Sequence, residues 1–322
     1  MGTRSIAAAA ALLLLLTATI TGQDHKPHRL NPVIGLLEQN KPVFGVYAPS
    51  NAGRRGEPAT ARPAIDLAKD ALAYKNADFL FNGSMEGGLD RAWSAYTDFV
   101  NALGEVDGKA PFAGLAHPLI VKTPKIAPDY KQAAANISRQ LNVGAAGIMF
   151  VEAESAEEVR QGLAAMRFTS KGGTRPDDVG SAPAAWGMSA QEYKIKADLW
   201  PLNPDGELIN WTIVESKEGL AHVREIAAVK GIGVLWPGAG TLRGVFSTTN
   251  ANGERVLDTA GWENAIQTVL AACKEFHVPC GYPANANDIE TRMRQGFSVF
   301  VMNWGDAGFK AVDIGRTAAG RD

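Results

Sequence analysis

The sequence predicts a (β/α)8 barrel, an α/β fold of the TIM-barrel type. Eight short apolar runs, nearly all followed by a segment with helical periodicity, alternate along the 322-residue chain. The runs are apolar throughout, which is typical of parallel strands buried on both faces. The length is close to the roughly 250 residues plus insertions of such barrels. A doubly wound open sheet is the alternative fold.

The first 22 residues are typical of a secretory signal peptide. Arg4 precedes an unbroken Ala/Leu run at residues 6–16, and small residues surround positions 18–22. A basic start, an apolar middle and small residues at the end define such signals. We therefore expect an exported protein, periplasmic or secreted, whose residues 23–322 form one barrel domain. An uncleaved membrane anchor is the alternative interpretation of this segment.

The first half of the chain contains four predicted strand–helix units after a short helix at residues 32–39. The strands are runs of apolar residues bounded by turn residues, and the helices carry apolar residues at a spacing of three and four. Ser155, followed three residues later by Glu158, indicates a capping box at the last of these helices. The strands are residues 42–47, 78–81, 119–122 and 146–151, and the helices are residues 64–75, 89–103, 130–141 and 155–168.

The second half begins with a long irregular stretch, residues 169–206, in which Trp186, Tyr193 and Trp200 favour order. A short helix at residues 189–196 lies inside it. The next segment is predicted as a strand, a helix, a strand and a tight Pro-Gly-Ala-Gly loop. The elements are strands at residues 209–214, 234–236, 279–282 and 298–302, and helices at residues 216–228, 259–276, 286–295 and 306–319.

Glu215 and Lys122 are the sharpest candidates for chemistry, because each stands at the carboxyl end of a predicted strand, where barrels bind ligands. A buried carboxylate needs a cation or donors, so Glu215 is compatible with Mg2+ binding, with a structural ion pair, or with a cap for its helix. Lys122 is compatible with binding a substrate carboxylate, with a Schiff base, or with a structural pair to a neighbouring carboxylate.

Two weaker candidates concern anion binding. The loop Gly238-Ala239-Gly240-Thr241 can present backbone N–H groups to a substrate anion, although most such loops are simply turns. Arg175, in the irregular stretch, can clamp a carboxylate with two parallel hydrogen bonds, although most loop arginines have no such role.

Composition excludes some functions. A formal net charge of −2 argues against nucleic-acid and anionic-membrane partners. The five histidines lie away from the predicted strand ends, and no GxSxG, P-loop, HExxH or dinucleotide fingerprint occurs. Cys273 and Cys280 do not match a CxxC motif, and the pattern leaves open whether they pair or stay as buried thiols.

The pattern at the strand ends resembles the HpcH/HpaI aldolase/citrate lyase family of pyruvate-type aldolases. Residues 142–158 are the most specific segment of this resemblance. The remaining pieces are residues 31–45, residues 78–81 leading into Met85-Glu86, Thr212-Ile213-Val214-Glu215-Ser216 and Gly238-Ala239-Gly240-Thr241-Leu242. The resemblance implies a (β/α)8 barrel, a homo-oligomer, a small oxo-acid substrate, and Mg2+ or Mn2+ that stabilises a pyruvate enolate during carbon–carbon cleavage.

The family's functional residues carry over unevenly. Glu215 matches the glutamate metal ligand, but Thr241 stands in place of the aspartate ligand and Gly87 in place of the catalytic histidine. Lys122 replaces the carboxylate-binding arginine, and Asp129 is the nearest carboxylate to the unmatched dyad aspartate. The first hypothesis is therefore a diverged lyase whose base is Glu86, Glu152 or Glu154. The alternative is an exported, non-catalytic binding protein on the same barrel.

Overall fold

The computed structural model describes residues 29–51, 61–107 and 117–321. The predicted signal peptide, residues 1–22, lies outside these ranges. Within them, no helix is long and apolar enough to cross a membrane.

Among the described residues, nine parallel strands form one curled sheet, and eight of them make the barrel. Their bounds are β1 Val43–Tyr47, β2 Phe79–Asn82, β3 Leu119–Lys122, β4 Gly147–Phe150, β5 Leu199–Trp200, β6 Leu208–Val214, β7 Val234–Pro237, β10 Gly281–Pro283 and β11 Val299–Met302. The order is β10-β11-β1-β2-β3-β4-β6, with β7 on β6 and the short β5 at the start of β6. A parallel bridge between Leu235 and Cys280 joins β7 to the chain entering β10. This connection closes the ring and confirms the predicted barrel.

Helices surround the strands and mostly follow the predicted positions. The bounds are α1 Pro32–Glu38, α2 Ala64–Ala73, α3 Leu89–Asp107, α4 Tyr130–Asn142, α5 Ala156–Met166, α6 Ala182–Trp186, α7 Ala190–Lys196, α8 Lys217–Ala221, α9 Val223–Ala227, α10 Ala239–Val245, α11 Thr259–Phe276, α12 Ile289–Gln295 and α13 Asp306–Ala318. An antiparallel hairpin, β8 Ser247–Thr249 with β9 Arg255–Leu257, follows α10.

The apolar core has two layers because neighbouring strand residues point to opposite faces. One layer fills the barrel interior, where Phe79, Trp211 and Trp236 are its largest side chains. Helix α1 closes the amino-terminal end of the barrel by adding Val33 and Ile34 to this layer. The other layer lies between the strands and the outer helices. With one end of the barrel plugged, the carboxyl ends of the strands remain for a site.

Three local predictions are corrected by the structure. The helix expected at residues 216–228 is split at His222 into α8 and α9. The Pro-Gly-Ala-Gly loop is shorter than expected, because α10 begins directly after Gly238. The capping box at Ser155 is half formed: the Ser155 hydroxyl accepts from the Glu158 N–H at 3.1 Å. The Glu158 carboxylate instead accepts from the N–H groups of Ala127 and Glu154.

Cys273 and Cys280 form a disulfide. The bond joins the last turn of α11 to the segment that enters β10. The pairing interpretation of the two cysteines is therefore the one that the structure supports.

Candidate active site

The alternation of strand side chains brings the predicted residues to one end of the barrel. On β6, Ile209, Trp211 and Ile213 point into the barrel interior. Glu215 follows Ile213 at the same spacing of two residues, so its side chain also points inward, at the carboxyl end of the strand. Lys122 follows Ile120 on β3 in the same way. Two charged groups from different strands therefore enter one space.

That space is the barrel-mouth pocket, a cavity of about 170 Å³. Six residues predicted from the sequence line it, namely Lys122, Glu215, Gly238, Ala239, Gly240 and Thr241. Aromatic and aliphatic residues complete the wall, namely Tyr47, Phe81, Met149, Ile213, Trp236, Pro283 and Val301. The pocket thus joins an apolar wall to a small number of polar groups, which is the usual make-up of a small-molecule site.

Glu215 is 3% exposed and held by donors from two neighbouring elements. The backbone N–H of Glu152 donates to its Oε1 at 3.1 Å, and the Thr241 hydroxyl also hydrogen-bonds to the carboxylate. Burial raises the pKa of Glu215 above its ordinary value, and the Thr241 hydrogen bond and the Lys122 charge oppose that rise. A carboxylate with a raised pKa is a stronger base than an ordinary glutamate.

Gly238 is required by the position of Glu215. A Cβ atom at position 238 would overlap both the Cβ and Oε2 atoms of Glu215. The absence of a side chain there allows the loop after β7 to pass directly against the carboxylate. The glycine of the predicted loop therefore sets how closely the wall approaches Glu215.

Lys122 forms an ion pair whose partner faces a second, larger cavity. Its Nζ lies 2.9 Å from Oε2 of Glu86, and the two side chains are 14% and 42% exposed. Glu86 lines the larger cavity, and Lys122 lines both. The ammonium group is thereby fixed at the junction of the two spaces by a partially hydrated carboxylate.

Glu152 and Glu154, two other candidate bases, belong to a separate charged group. The ammonium of Lys125 lies 2.6 Å from Glu154 and 3.7 Å from Glu152. The Lys125 hydrogen bond lowers the pKa of Glu154, which makes that carboxylate a weaker base. Neither glutamate lines the barrel-mouth pocket. Of the three proposed bases, the structure places only Glu86 beside Lys122.

Arg175 lies away from the pocket, which corrects the interpretation of this residue as a substrate clamp. It is fully buried, and its Nη2 donates to Asn142 Oδ1 at 2.7 Å and to the Tyr193 hydroxyl at 3.3 Å. The guanidinium also stacks on the Phe168 ring at 4.2 Å. Asn142 ends α4 just before β4, at the opposite end of the barrel from Glu215. Arg175 is therefore a structural residue at the amino-terminal end of the barrel strands.

Tyr47 is a site residue that the sequence reasoning missed. It is the last residue of β1 and lines both cavities. Burial raises the pKa of its phenol, and the nearby Lys122 charge opposes that rise, so the hydroxyl stays protonated and can donate. The sequence contained the information needed to include Tyr47. Tyr47 follows Gly45 and Val43 at a spacing of two residues, and these positions of β1 face the barrel interior.

The described residues do not form a set of metal ligands. Within the described ranges, no cluster of three or more His, Cys, Asp or Glu side chains is placed to hold a metal ion. Glu215 is the single carboxylate of the barrel-mouth pocket. The other groups around its oxygens are donors, the Glu152 N–H and the Thr241 hydroxyl, with the Lys122 ammonium near by. Mg2+ and Mn2+ bind through acceptor oxygens, typically one or two carboxylates with substrate oxygens and waters, and the described residues of this pocket supply only the Glu215 carboxylate.

Sequence comparison shows a similarity to an aldolase. No protein-family model matches the sequence. A hydroxypyruvate/pyruvate aldolase from Paraburkholderia phytofirmans is 24% identical over 215 residues, which cover 66% of this chain and 69% of that protein.

Solved structures of similar fold carry the family name stated above. One is an HpcH/HpaI aldolase/citrate lyase family protein from Burkholderia cenocepacia, with a TM-score of 0.63, 20% identity, and coverage of 89% of this chain and 97% of that one. Another is an HpcH/HpaI aldolase from Desulfitobacterium hafniense, with a TM-score of 0.60, 17% identity, and coverage of 89% and 94%. The resemblance to this family is confirmed, and at these identities the structural similarity establishes the fold.

Proposed function

We propose that this chain is an aldolase-type carbon–carbon lyase that cleaves a small 4-hydroxy-2-oxo acid in the barrel-mouth pocket. One observation carries the proposal: a cation from β3, Lys122, and a buried carboxylate after β6, Glu215, line the same small cavity. Its volume of about 170 Å³ suits a molecule of the size of pyruvate. The similarity to a hydroxypyruvate/pyruvate aldolase supports the choice of reaction.

Lys122 supplies the positive charge that the reaction needs. Cleavage converts the oxo-acid part into an enolate, so negative charge develops on the C2 oxygen beside the carboxylate. An ammonium group fixed in a mostly apolar pocket stabilises that charge better than water does. Glu86, which holds Nζ at 2.9 Å, acts as the positioning residue for Lys122.

Glu215 is the proton carrier in this proposal. Its carboxylate accepts the proton of the 4-hydroxyl group while the C3–C4 bond breaks. The electron pair of that bond forms the enolate, and the other fragment leaves as an aldehyde. Glu215 then returns the proton to C3, which gives the 2-oxo acid and restores the carboxylate. The raised pKa of Glu215 suits both halves of this transfer.

No step of this proposal involves a divalent metal, although the family resemblance implies Mg2+ or Mn2+ at Glu215. Thr241 occupies the place of the second carboxylate, and its hydroxyl hydrogen-bonds to Glu215. Calorimetric titration of the protein with each ion tests this point. We expect no saturable heat, with or without pyruvate, and metal-dependent pyruvate binding would restore Glu215 as a ligand.

Cleavage of 4-hydroxy-2-oxopentanoate, with released pyruvate detected by lactate dehydrogenase, tests the activity itself. We expect turnover by the wild type and a loss of at least 100-fold in Glu215→Gln. Equal rates for the two proteins would remove Glu215 from the mechanism. Saturable pyruvate binding without any turnover of 4-hydroxy-2-oxo acids would favour the second candidate, a non-catalytic binding protein.

We also propose that the chain is exported after cleavage near residue 22 and that it acts as a homo-oligomer. The support is the N-terminal sequence pattern in the first case and the family resemblance in the second. The intact mass of protein recovered from the periplasm or medium tests export and cleavage. Light scattering of the purified protein tests the assembly, and a monomeric mass would contradict it.

A further inference from the structure

The larger cavity beside the barrel-mouth pocket has no role in the proposal above. This side cavity has a volume of about 570 Å³. It lies between the carboxyl ends of β1 and β2 and the helices α2 and α3, and Leu67, Ala95 and Phe99 are among its lining residues. A space of this size beside a pocket of about 170 Å³ leaves room for an occupant larger than pyruvate.

The two cavities adjoin each other. Tyr47, Phe81 and Lys122 line both of them. A ligand whose oxo-acid end lies beside Glu215 and Lys122 would reach the side cavity by passing these three side chains. The bond that joins the oxo-acid end of such a ligand to its remaining part then lies between the two cavities, next to the Lys122 ammonium.

The walls of the side cavity favour an uncharged, apolar occupant. Side chains of α2, α3 and β2 form a carbon-rich wall, comprising Ala64, Leu67, Phe81, Ala92, Tyr96 and Phe99. A group placed against such a surface gains from leaving water without needing a hydrogen-bond partner.

Three polar side chains of the side cavity, Asn51, Arg62 and Asn82, are engaged with neighbouring groups. The Asn51 amide bonds both the N–H and the carbonyl of Arg62, each at 2.8 Å. The Arg62 guanidinium pairs with Asp70 at 2.6 Å. The Asn82 side-chain oxygen Oδ1 accepts from both the N–H and the hydroxyl of Ser84. These three polar groups are therefore already paired, whereas the Tyr96 hydroxyl on the same wall has no hydrogen-bond partner among the described residues.

We propose that the substrate carries a bulky apolar tail, aromatic or branched aliphatic, that fills the side cavity while its oxo-acid end occupies the barrel-mouth pocket. The aldehyde product is then an aromatic or branched aldehyde. A cavity of about 150 Å³ is enough to bind benzene, so the side cavity has room for a substituted ring. This inference rests on the proposed function for the oxo-acid end, while the tail site stands on the cavity itself.

Calorimetry with three probes tests the tail site. The probe 2-oxo-4-phenylbutanoate has the acid and a ring but lacks the 4-hydroxyl group and cannot be cleaved. The probe 2-oxobutanoate has the acid alone, and 2-phenylethanol has the ring alone. We expect the wild type to bind 2-oxo-4-phenylbutanoate at least tenfold more tightly than 2-oxobutanoate, and to bind 2-phenylethanol saturably.

A cavity-filling variant and a matched control locate the effect. Ala95 is exposed on α3 and lines the side cavity, so Ala95→Trp should reduce the advantage of the ring to less than threefold. Ala135 is an exposed alanine on α4 outside both cavities, and Ala135→Trp should keep the full advantage. Equal wild-type affinity for the two acids, or an advantage retained in Ala95→Trp, would overturn the inference.

The probes also separate the two proposals. If 2-oxobutanoate does not bind but 2-phenylethanol does, and Ala95→Trp abolishes that binding, the proposed oxo-acid function fails and the tail site stands. If 2-oxobutanoate binds and the ring adds nothing, the tail site fails and the proposed function stands. If neither compound binds, both proposals are overturned.

Discussion

Replacement of Lys122 by methionine removes the one cation among the described residues that line the barrel-mouth pocket. It does so at nearly constant side-chain length. The ammonium is held 2.9 Å from Glu86, and the Lys122 side chain is 14% exposed. A hydrogen bond to a charged group contributes about 1.5–3 kcal/mol. Because about 1.4 kcal/mol corresponds to a tenfold change in affinity, we expect pyruvate to bind roughly 10- to 150-fold more weakly to Lys122→Met.

The loss should lie toward the upper end of this range. Without Lys122, the Glu86 carboxylate keeps its negative charge beside the pocket and repels an anionic ligand. Glu86→Gln in the Lys122→Met background should therefore recover part of the lost affinity. This recovery would show that the charge of Glu86 contributes to the effect.

Lys125→Met is the matched control for this experiment. Lys125 also pairs with a carboxylate, at 2.6 Å from Glu154, and its side chain is 33% exposed. It lines neither cavity, so its replacement should change pyruvate affinity less than twofold. The assay is titration calorimetry of proteins whose folding has been checked by thermal unfolding. Equal dissociation constants for the wild type and Lys122→Met would refute the role of Lys122.

Three further predictions follow from the same contacts. Burial raises the pKa of Glu215, so kcat/KM should fall on acidification at a pH above the ordinary glutamate pKa of about 4.3. A fall of kcat/KM centred on that ordinary value would contradict this prediction. Thr241→Asp places a second carboxylate beside Glu215 and should create saturable Mn2+ binding in calorimetry, whereas a titration without heat would show that the pocket cannot accept the ion. Cys280→Ser opens the disulfide to Cys273, seven residues away, and should lower the free energy of unfolding by about 2.5 kcal/mol; an unchanged denaturant midpoint would argue against that contribution.

The position of residues at strand ends explains why most of the barrel-mouth pocket could be predicted from the sequence. Lys122 and Glu215 stand at or directly after predicted strands, and a barrel brings the carboxyl ends of its strands together at one mouth. The structure adds which face of each strand points inward, because the strands are apolar on both faces. Arg175 could not be placed in this way, because it lies in an irregular stretch. There the sequence predicts neither the direction of the side chain nor the end of the barrel at which it lies.

Other features depend on contacts between distant elements, and the sequence pattern does not contain them. The side cavity arises from the way α2 and α3 pack over the carboxyl ends of β1 and β2. Likewise, the split of residues 216–228 at His222 follows local packing, since the His222 Nδ1 lies 3.0 Å from the Glu154 carbonyl. The hairpin of β8 and β9 was missed because its strands are short and mostly exposed, so they lack the apolar runs that marked the barrel strands.

The central claim is that the barrel-mouth pocket forms the enolate of a bound 2-oxo acid through Glu215 and Lys122. Exchange of the C3 protons of pyruvate in D2O, followed by proton NMR with a metal chelator present, tests this step without knowledge of the aldehyde. The account predicts that the wild type removes the methyl signal at least 100-fold faster than buffer, and that Glu215→Gln does not exceed the buffer rate. A wild-type rate equal to that of buffer would contradict it.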